Sequence, residues 1–239
     1  LSHRHLSRVG IPCLGQRKVR PGVYPQRMSD GTVQKPSTEA IDEILRTTRS
    51  VRRRIDFDRP VEPGVIEECI AIATQAPTGI PSEAWRFLVL TEPGPKRALA
   101  ELYRRALATL ADARGGDIKA SQQQLADHLD AMPALIVVCA EGRPAPDSVP
   151  LQVAFYGSIL PAAWSLMLAL RARGIGATWT TLHLLHEEEA AEQLGIPKNV
   201  TQTVLLPVGY TLNAVLRPAE RRPPGEITYW NHWGRGKEG

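Results

Sequence analysis

Thr47-Thr48-Arg49-Ser50-Val51-Arg52-Arg53-Arg54 is the stretch around which the rest of the chain falls into place. Its last six residues hold four arginines and a serine hydroxyl, directly after a short amphipathic run of Ile41, Ile44 and Leu45. Guanidinium forks give bidentate, charge-assisted hydrogen bonds to phosphate, each worth about 1.5–3 kcal/mol when the group is held in place. Ser50 adds a neutral donor between them. Chemistry alone leaves two readings open here. One is an anion clamp; the other is a solvated basic helix end whose arginines complement the helix dipole.

Working outward, residues 38–48 read as helix. After the Asp58-Arg59-Pro60 turn, residues 62–76 read as a second helix, with Pro63 in its first turn and Val65, Ile66, Cys69, Ile70 and Ala73 on one face. Pro77 stops it, and Thr78-Gly79-Ile80-Pro81 is a loop. A strand follows over Arg86–Thr91. Residues 95–113 form a long helix, broken by Gly115-Gly116 and resumed over 119–131. Ala134–Ala140 is a continuous apolar run and so a buried strand.

From Leu151 to Leu170 the chain carries no charge, which by length admits a membrane helix. Gln152, Tyr156, Gly157, Ser158, Pro161 and Ser165 favour instead a helix apolar all round because it is buried in a core or a dimer. Gly174-Ile175-Gly176 opens a strand through Thr181. Trp179 stands where a dinucleotide fingerprint needs its third glycine, and the order is helix to strand, so a Rossmann site is rejected. Glu187–Leu194 is a short helix and Thr203–Gly209 the last clear strand. Four or five strands alternating with helices make a mixed α+β order.

The 239 residues, 43% of them apolar, suffice for a sizeable core. Net charge is +4, but residues 1–29 contain Arg4, Arg8, Arg17, Lys18, Arg20 and Arg27 and no acid, so the other residues sum to 4 − 6 = −2. A folded body of that charge argues against nucleic acid as partner. Residues 1–36 lack apolar periodicity and a hydrophobic signal core, and read as a flexible basic arm, a targeting segment or sequence upstream of Met28. Cys13, Cys69 and Cys139 form no framework, which suits a reducing, cytoplasmic location. His183 and His186 are three apart, but the rest of a metal signature is missing and no metal is expected.

Arg49-Ser50-Val51-Arg52, then Pro60-Val61, then a helix ending in Ala76-Pro77-Thr78-Gly79, then Trp85–Leu90, resembles the opening of the nitroreductase family of flavin enzymes. Leu205-Leu206-Pro207-Val208-Gly209-Tyr210 and Arg221-Arg222-Pro223 resemble its close. These elements span about residues 38–230 in the family's order. The resemblance implies an α+β, nitroreductase-like fold over residues 37–239. It has a central mixed, mostly antiparallel sheet flanked by helices, and the uncharged helix buried at a dimer core.

It also implies FMN as cofactor. Arg49, Ser50, Arg52 or Arg53, and Arg221 would converge on its phosphate and ribityl chain. Pro77-Thr78-Gly79 would lie against the isoalloxazine, and Thr180 and Thr181 would line its pyrimidine side. The implied enzyme is a homodimer with the flavin at the interface and no membrane or nucleic-acid partner. NADH or NADPH would reduce the flavin, and a small-molecule acceptor (a nitroaromatic, quinone or related compound) would take the electrons in a ping-pong hydride transfer through flavin N5. Such chemistry asks the protein for binding and orientation, so no catalytic acid, base or nucleophile is assigned.

The chain departs from the family's Ser-Gly-x-Asn-x-Gln-Pro-Trp segment at Pro81, Glu83 and Ala84, and an arginine often found beside the clamp is Thr48. Glu83 is shared with the iodotyrosine deiodinase branch. Alternatives on the same fold are reductive dehalogenation, flavin breakdown or deazaflavin binding. A different class is a nucleic-acid-binding protein using the basic arm. Thr78 can also be read as a simple turn cap, and Trp85 and Tyr210 as core.

Overall fold

The computed structural model describes residues 37–79 and 83–237. The basic arm of residues 1–36, Cys13 and the ring contact in question at Pro81 lie outside them.

Four strands form one sheet in the order β1-β2-β4-β3: β1 (Trp85–Leu90), β2 (Ala134–Glu141), β3 (Ile175–Ala177) and β4 (Val200–Tyr210). Every pairing between them is antiparallel, and a single parallel bridge joins Gly142 to Val200. The register of β2 on β4 slips between Val138 and Cys139.

Helices cover both faces of this sheet, which explains why β2 lacks the alternation of a half-wet strand. Its Ala134, Ile136, Val138 and Ala140 pack with α2 (Pro63–Ala73) and α5 (Val149–Arg171). Its Leu135, Val137 and Cys139 pack with α3 (Pro93–Ala113), α4 (Ala120–Asp127) and α6 (Glu187–Leu194). Cys69 and Cys139 are both buried and free, and burial pushes the Cys139 thiol up to about 12. α1 (Thr38–Thr47) precedes the arginine stretch, and a short α7 (Pro224–Ile227) lies in the tail.

The uncharged segment is one long helix. Phe155, Ile159, Ala162, Ala163, Leu166, Met167 and Leu170 bury one side of α5 against the sheet and α2. Val149, Val153, Tyr156 and Trp164 recur at helical spacing on its exposed side, with Val149 70% and Val153 66% exposed. Among the described residues it is the one helix long and apolar enough to cross a membrane, and half of that window is buried within the chain.

Several boundaries differ from the sequence expectation. The continuous β3 ladder stops at Ala177 rather than Thr181, because Pro207 opposite Thr178 has no N–H to donate; pairing with β4 returns in register at the Thr180–Leu205 bridge. The resumed helix ends at Asp127 rather than 131. A 3₁₀ turn over Leu182–His186 had no signal in the apolar pattern.

Candidate functional site

The arginine stretch is bound into the sheet's end rather than left in solvent. Thr47 and Thr48 return their hydroxyls to the Glu43 and Ile44 carbonyls (2.6 Å each), closing α1. The chain then runs beside the exit of β3. Val51 N–H donates to the Ala177 carbonyl (2.9 Å), the buried Thr178 hydroxyl to the Val51 carbonyl (2.7 Å), and Trp179 N–H to Ser50 Oγ (3.1 Å). This close approach accounts for Gly176, the second glycine of Gly174-Ile175-Gly176, whereas Gly174 has open space around it and a φ of 73°. A Cβ on Gly176 would lie 2.8 Å from Thr211 Cγ2 and 3.0 Å from Val51 Cβ, and one on Gly209 2.7 Å from Ile55 Cγ2. Both glycines make room for the arginine stretch.

Ser50, Arg52 and Arg53 line a cleft of about 860 Å³ together with Arg54, Lys119, Ser121 and Arg217. Arg54 is exposed, yet it forms part of this wall and donates to the Asn213 carbonyl (3.3 Å). Arg49 is half-buried and directs Nη1 to the Thr48 carbonyl (2.7 Å), without lining the cleft. The cleft combines several cations with hydroxyl donors and has no carboxylate among its lining residues, which is the donor set a phosphate ester requires. FMN's phosphate therefore fits the residues present.

Thr180 joins this group from the sheet side. Its backbone bridges Leu205 in both directions (3.1 and 2.9 Å), and its hydroxyl lies 3.0 Å from the Tyr103 phenol of α3. Tyr103 is buried at 3% exposure; burial raises its phenol above the ordinary range, opposed by the Thr180 hydrogen bond and by the charge of Arg52. Arg52, Tyr103, Thr180 and Ser50 are thus neighbours in one linked network. Thr181 is exposed, its carbonyl accepting from Leu184 N–H at the start of the 3₁₀ turn (3.0 Å).

The remaining candidates are placed differently. The Pro77–Gly79 turn is exposed and anchored to the α5 layer, where Gly79 N–H donates to Ser158 Oγ (2.9 Å). Ser158 also gives its hydroxyl to the Ala154 carbonyl (2.7 Å), and its own carbonyl accepts the Trp85 indole N–H (2.7 Å). Val51 and Ile55 belong to the α3 layer on the sheet's other face, so the predicted site is split between layers within one chain. Arg221 is exposed and, among the described residues, bonds its neighbour's Glu220 carbonyl (3.3 Å), outside the cleft. Trp85 is buried, and the half-buried Tyr210 carries the Arg59 guanidinium over its ring (3.4 Å) and donates to Glu62 (2.7 Å).

Four contributors escaped the sequence reading: Tyr103, Ser158, Lys119 and Arg217. Lys119 precedes an ordinary helix and Arg217 sits in a tail, so only tertiary structure distinguishes them from solvated charges. Ser158 had a weak signal, being a polar residue inside an apolar helix three positions before Pro161. His183 is buried with neither ring nitrogen paired among the described residues, and burial lowers its pKa to about 4, while Arg143 takes Glu187 (2.6 Å) and Arg105 takes Glu189 (2.8 Å).

The model of the Nitroreductase family matches residues 45–210 of the chain. Iodotyrosine deiodinase 1 of Mus musculus is 31% identical over 176 residues, covering 70% of this chain and 61% of that protein. The chain thus spans about three fifths of the length of this relative. A crystal structure of oxidized iodotyrosine deiodinase bound to FMN and 3-iodo-L-tyrosine superposes with a TM-score of 0.60 at 22% identity, over 80% of this chain and 98% of that one. The NADPH:FMN oxidoreductase of Vibrio harveyi complexed with NAD+ gives 0.62 at 14% identity, over 82% and 79%.

Proposed function

The chain belongs to the nitroreductase family, and from that premise we propose that it is an FMN-dependent oxidoreductase taking hydride from NADH or NADPH and delivering it to a small-molecule acceptor such as a nitroaromatic or quinone. The observation that carries this reading is the cation-lined cleft at Ser50 and Arg52, tied through Tyr103 to Thr180. Ser50, Arg52 and Arg53 would hold the phosphate, and Thr180 with Thr181 would border the ring. Bound there, FMN would supply the two-electron carrier that no side chain in the site provides. The protein's part is then to bind, orient and screen, and Tyr103 buttresses Thr180 from behind.

The split of the site between layers supports a homodimer. The Pro77–Gly79 turn of one copy would meet the cleft of another, with the exposed side of α5 in the interface. Buried free cysteines fit a reducing compartment, and we place the protein in the cytoplasm. A second reading, reductive dehalogenation of an iodinated phenol, is favoured by the likeness to iodotyrosine deiodinases and by Glu83, which stands exposed just before β1. Iodide release from 3-iodotyrosine would distinguish it from nitroaromatic reduction.

The first test is cofactor binding. The purified protein should show flavin absorbance or regain it with FMN. Arg52→Ala, which removes a charge-assisted contact, should weaken FMN about 10- to 150-fold at about 1.5–3 kcal/mol per contact. Riboflavin lacks the phosphate and should barely respond. Failure to bind FMN at all, or an equal loss for both flavins, removes the reading.

A further inference from the structure

The cleft beside Ser50 carries more positive charge than one phosphate ester needs. Arg52, Arg53, Arg54, Lys119 and Arg217 stand in its wall with no carboxylate among the lining residues. None of the five takes part in an ion pair among the described residues, whereas Arg86, Arg104, Arg105, Arg143 and Arg173 each close on an acid. The first turn of α4, Ala120 and Ser121, also faces this space and adds potential of the same sign. A phosphate monoester brings a charge of about −1.5 to −2 at neutral pH, so one such group leaves about three of the cations unmatched.

The wall is also held open by its own backbone. Segments 53–56 and 210–213 are joined by the Ile55–Thr211 bridge, and Leu212 N–H donates to the Arg54 carbonyl (2.7 Å). Arg54 (φ 58°) sits in the left-handed region, which a long side-chain-bearing residue rarely adopts, opposite Asn213 (φ 50°), a residue type that tolerates it. This junction sets Arg54 at the cleft and leads the chain on to Arg217 in the same wall.

Resting on the flavin reading above, we propose that the Arg54, Lys119 and Arg217 part of the cleft takes phosphate groups of the nicotinamide donor, and that the donor is the 2′-phosphorylated dinucleotide, NADPH. The two donors differ only by that ester, a group of about −1.5 to −2 charge. A cluster of unpaired guanidinium and ammonium groups discriminates on that difference, because each charge-assisted contact it makes is absent with NADH.

The test is steady-state kinetics of the FMN-loaded protein with each donor and one fixed acceptor, beside fluorescence titration of FMN. The wild-type protein should show a kcat/KM for NADPH at least about 10-fold above that for NADH, the worth of one such contact. Lys119→Ala and Arg217→Ala should each cut that ratio by about 10-fold, and Arg217→Lys should recover part of it. Equal use of both donors by the wild-type protein, or equal losses with both donors in the variants, overturns the proposal. If FMN affinity falls in the variants and the ratio stays, the cations belong to the flavin's own clamp; the proposal is then wrong and the flavin reading stands. If the wild-type protein binds no FMN, both fall together.

Discussion

At the scale of residues, Tyr103 shows what the sequence could and could not disclose. Arg49, Ser50 and Arg52 were singled out because arginines flanking a serine are an anion signal in themselves, and of these the structure sets Ser50 and Arg52 in the cleft and leaves Arg49 out of it. Tyr103 sits on an amphipathic helix more than fifty positions away, where a tyrosine at a core position looks like packing. Its use depends on the phenol meeting Thr180 Oγ1 at 3.0 Å in a buried place near Arg52. Tyr103→Phe keeps the ring and removes that hydrogen bond, which should cost about 0.5–1.5 kcal/mol of stability. A double-mutant cycle with Thr180→Val, followed by thermal or denaturant unfolding, should return a coupling of about the same size. A coupling of zero would mean that the two hydroxyls do not support one another, and Tyr103 would revert to packing alone.

At the scale of elements, most of the fold was readable from apolar runs and prolines. β2 betrayed its burial by having no polar alternation, α6 began and ended as expected, and Pro77 bounded the loop before β1. Elements whose ends are set by contacts distant in sequence were misjudged. β3 was drawn unbroken to Thr181, although Pro207, lacking an N–H, interrupts the ladder opposite Thr178 before the Thr180–Leu205 bridge restores it, while the Thr178 hydroxyl and Trp179 N–H turn to Val51 and Ser50. For Gly176 and Gly209 of this region the structure supplies a packing purpose. Gly176→Ala puts a methyl group 2.8 Å from Thr211 and 3.0 Å from Val51. Overpacking of this kind should cost about 1–3 kcal/mol, and because Val51 precedes Arg52 it should weaken FMN binding as well. Gly94→Ala, with nothing within 4 Å, should leave both the unfolding midpoint and FMN affinity unmoved. Equal effects of the two substitutions would disprove the packing role.

At the scale of the whole molecule, α5 poses the question of assembly. One side is core; the other offers Val149, Val153, Tyr156 and Trp164 to solvent, and the tail adds Trp230 and Trp233, the last 91% exposed. That much exposed apolar surface on a chain with a well-formed core marks an interaction face. The helix's lack of charge was visible in the sequence, but which side the core takes was not, since an all-round apolar pattern has no phase. We expect a homodimer burying more than about 2,000 Å², as permanent dimers tend to. Light scattering at micromolar concentration checks this, and a monodisperse monomer would count against it. Val153→Glu together with Trp164→Glu should yield a monomer and, since the two halves of the site lie on different layers, should lower FMN affinity too.

The bonds that fasten the arginine stretch have a bearing on how the protein is made. Thr178 reaches Val51 across 127 positions, Trp179 reaches Ser50 across 129, and Arg54 reaches Asn213 across 159. On a ribosome, which releases the chain from its N-terminus, residues 49–54 emerge first and have no binding partner until the strand exit near 178 and then the segment beyond 210 follow. Closing loops of that span is slow compared with forming helices. The cation-rich stretch therefore stays exposed through most of synthesis, and the cleft it lines is among the last parts of the protein to take shape.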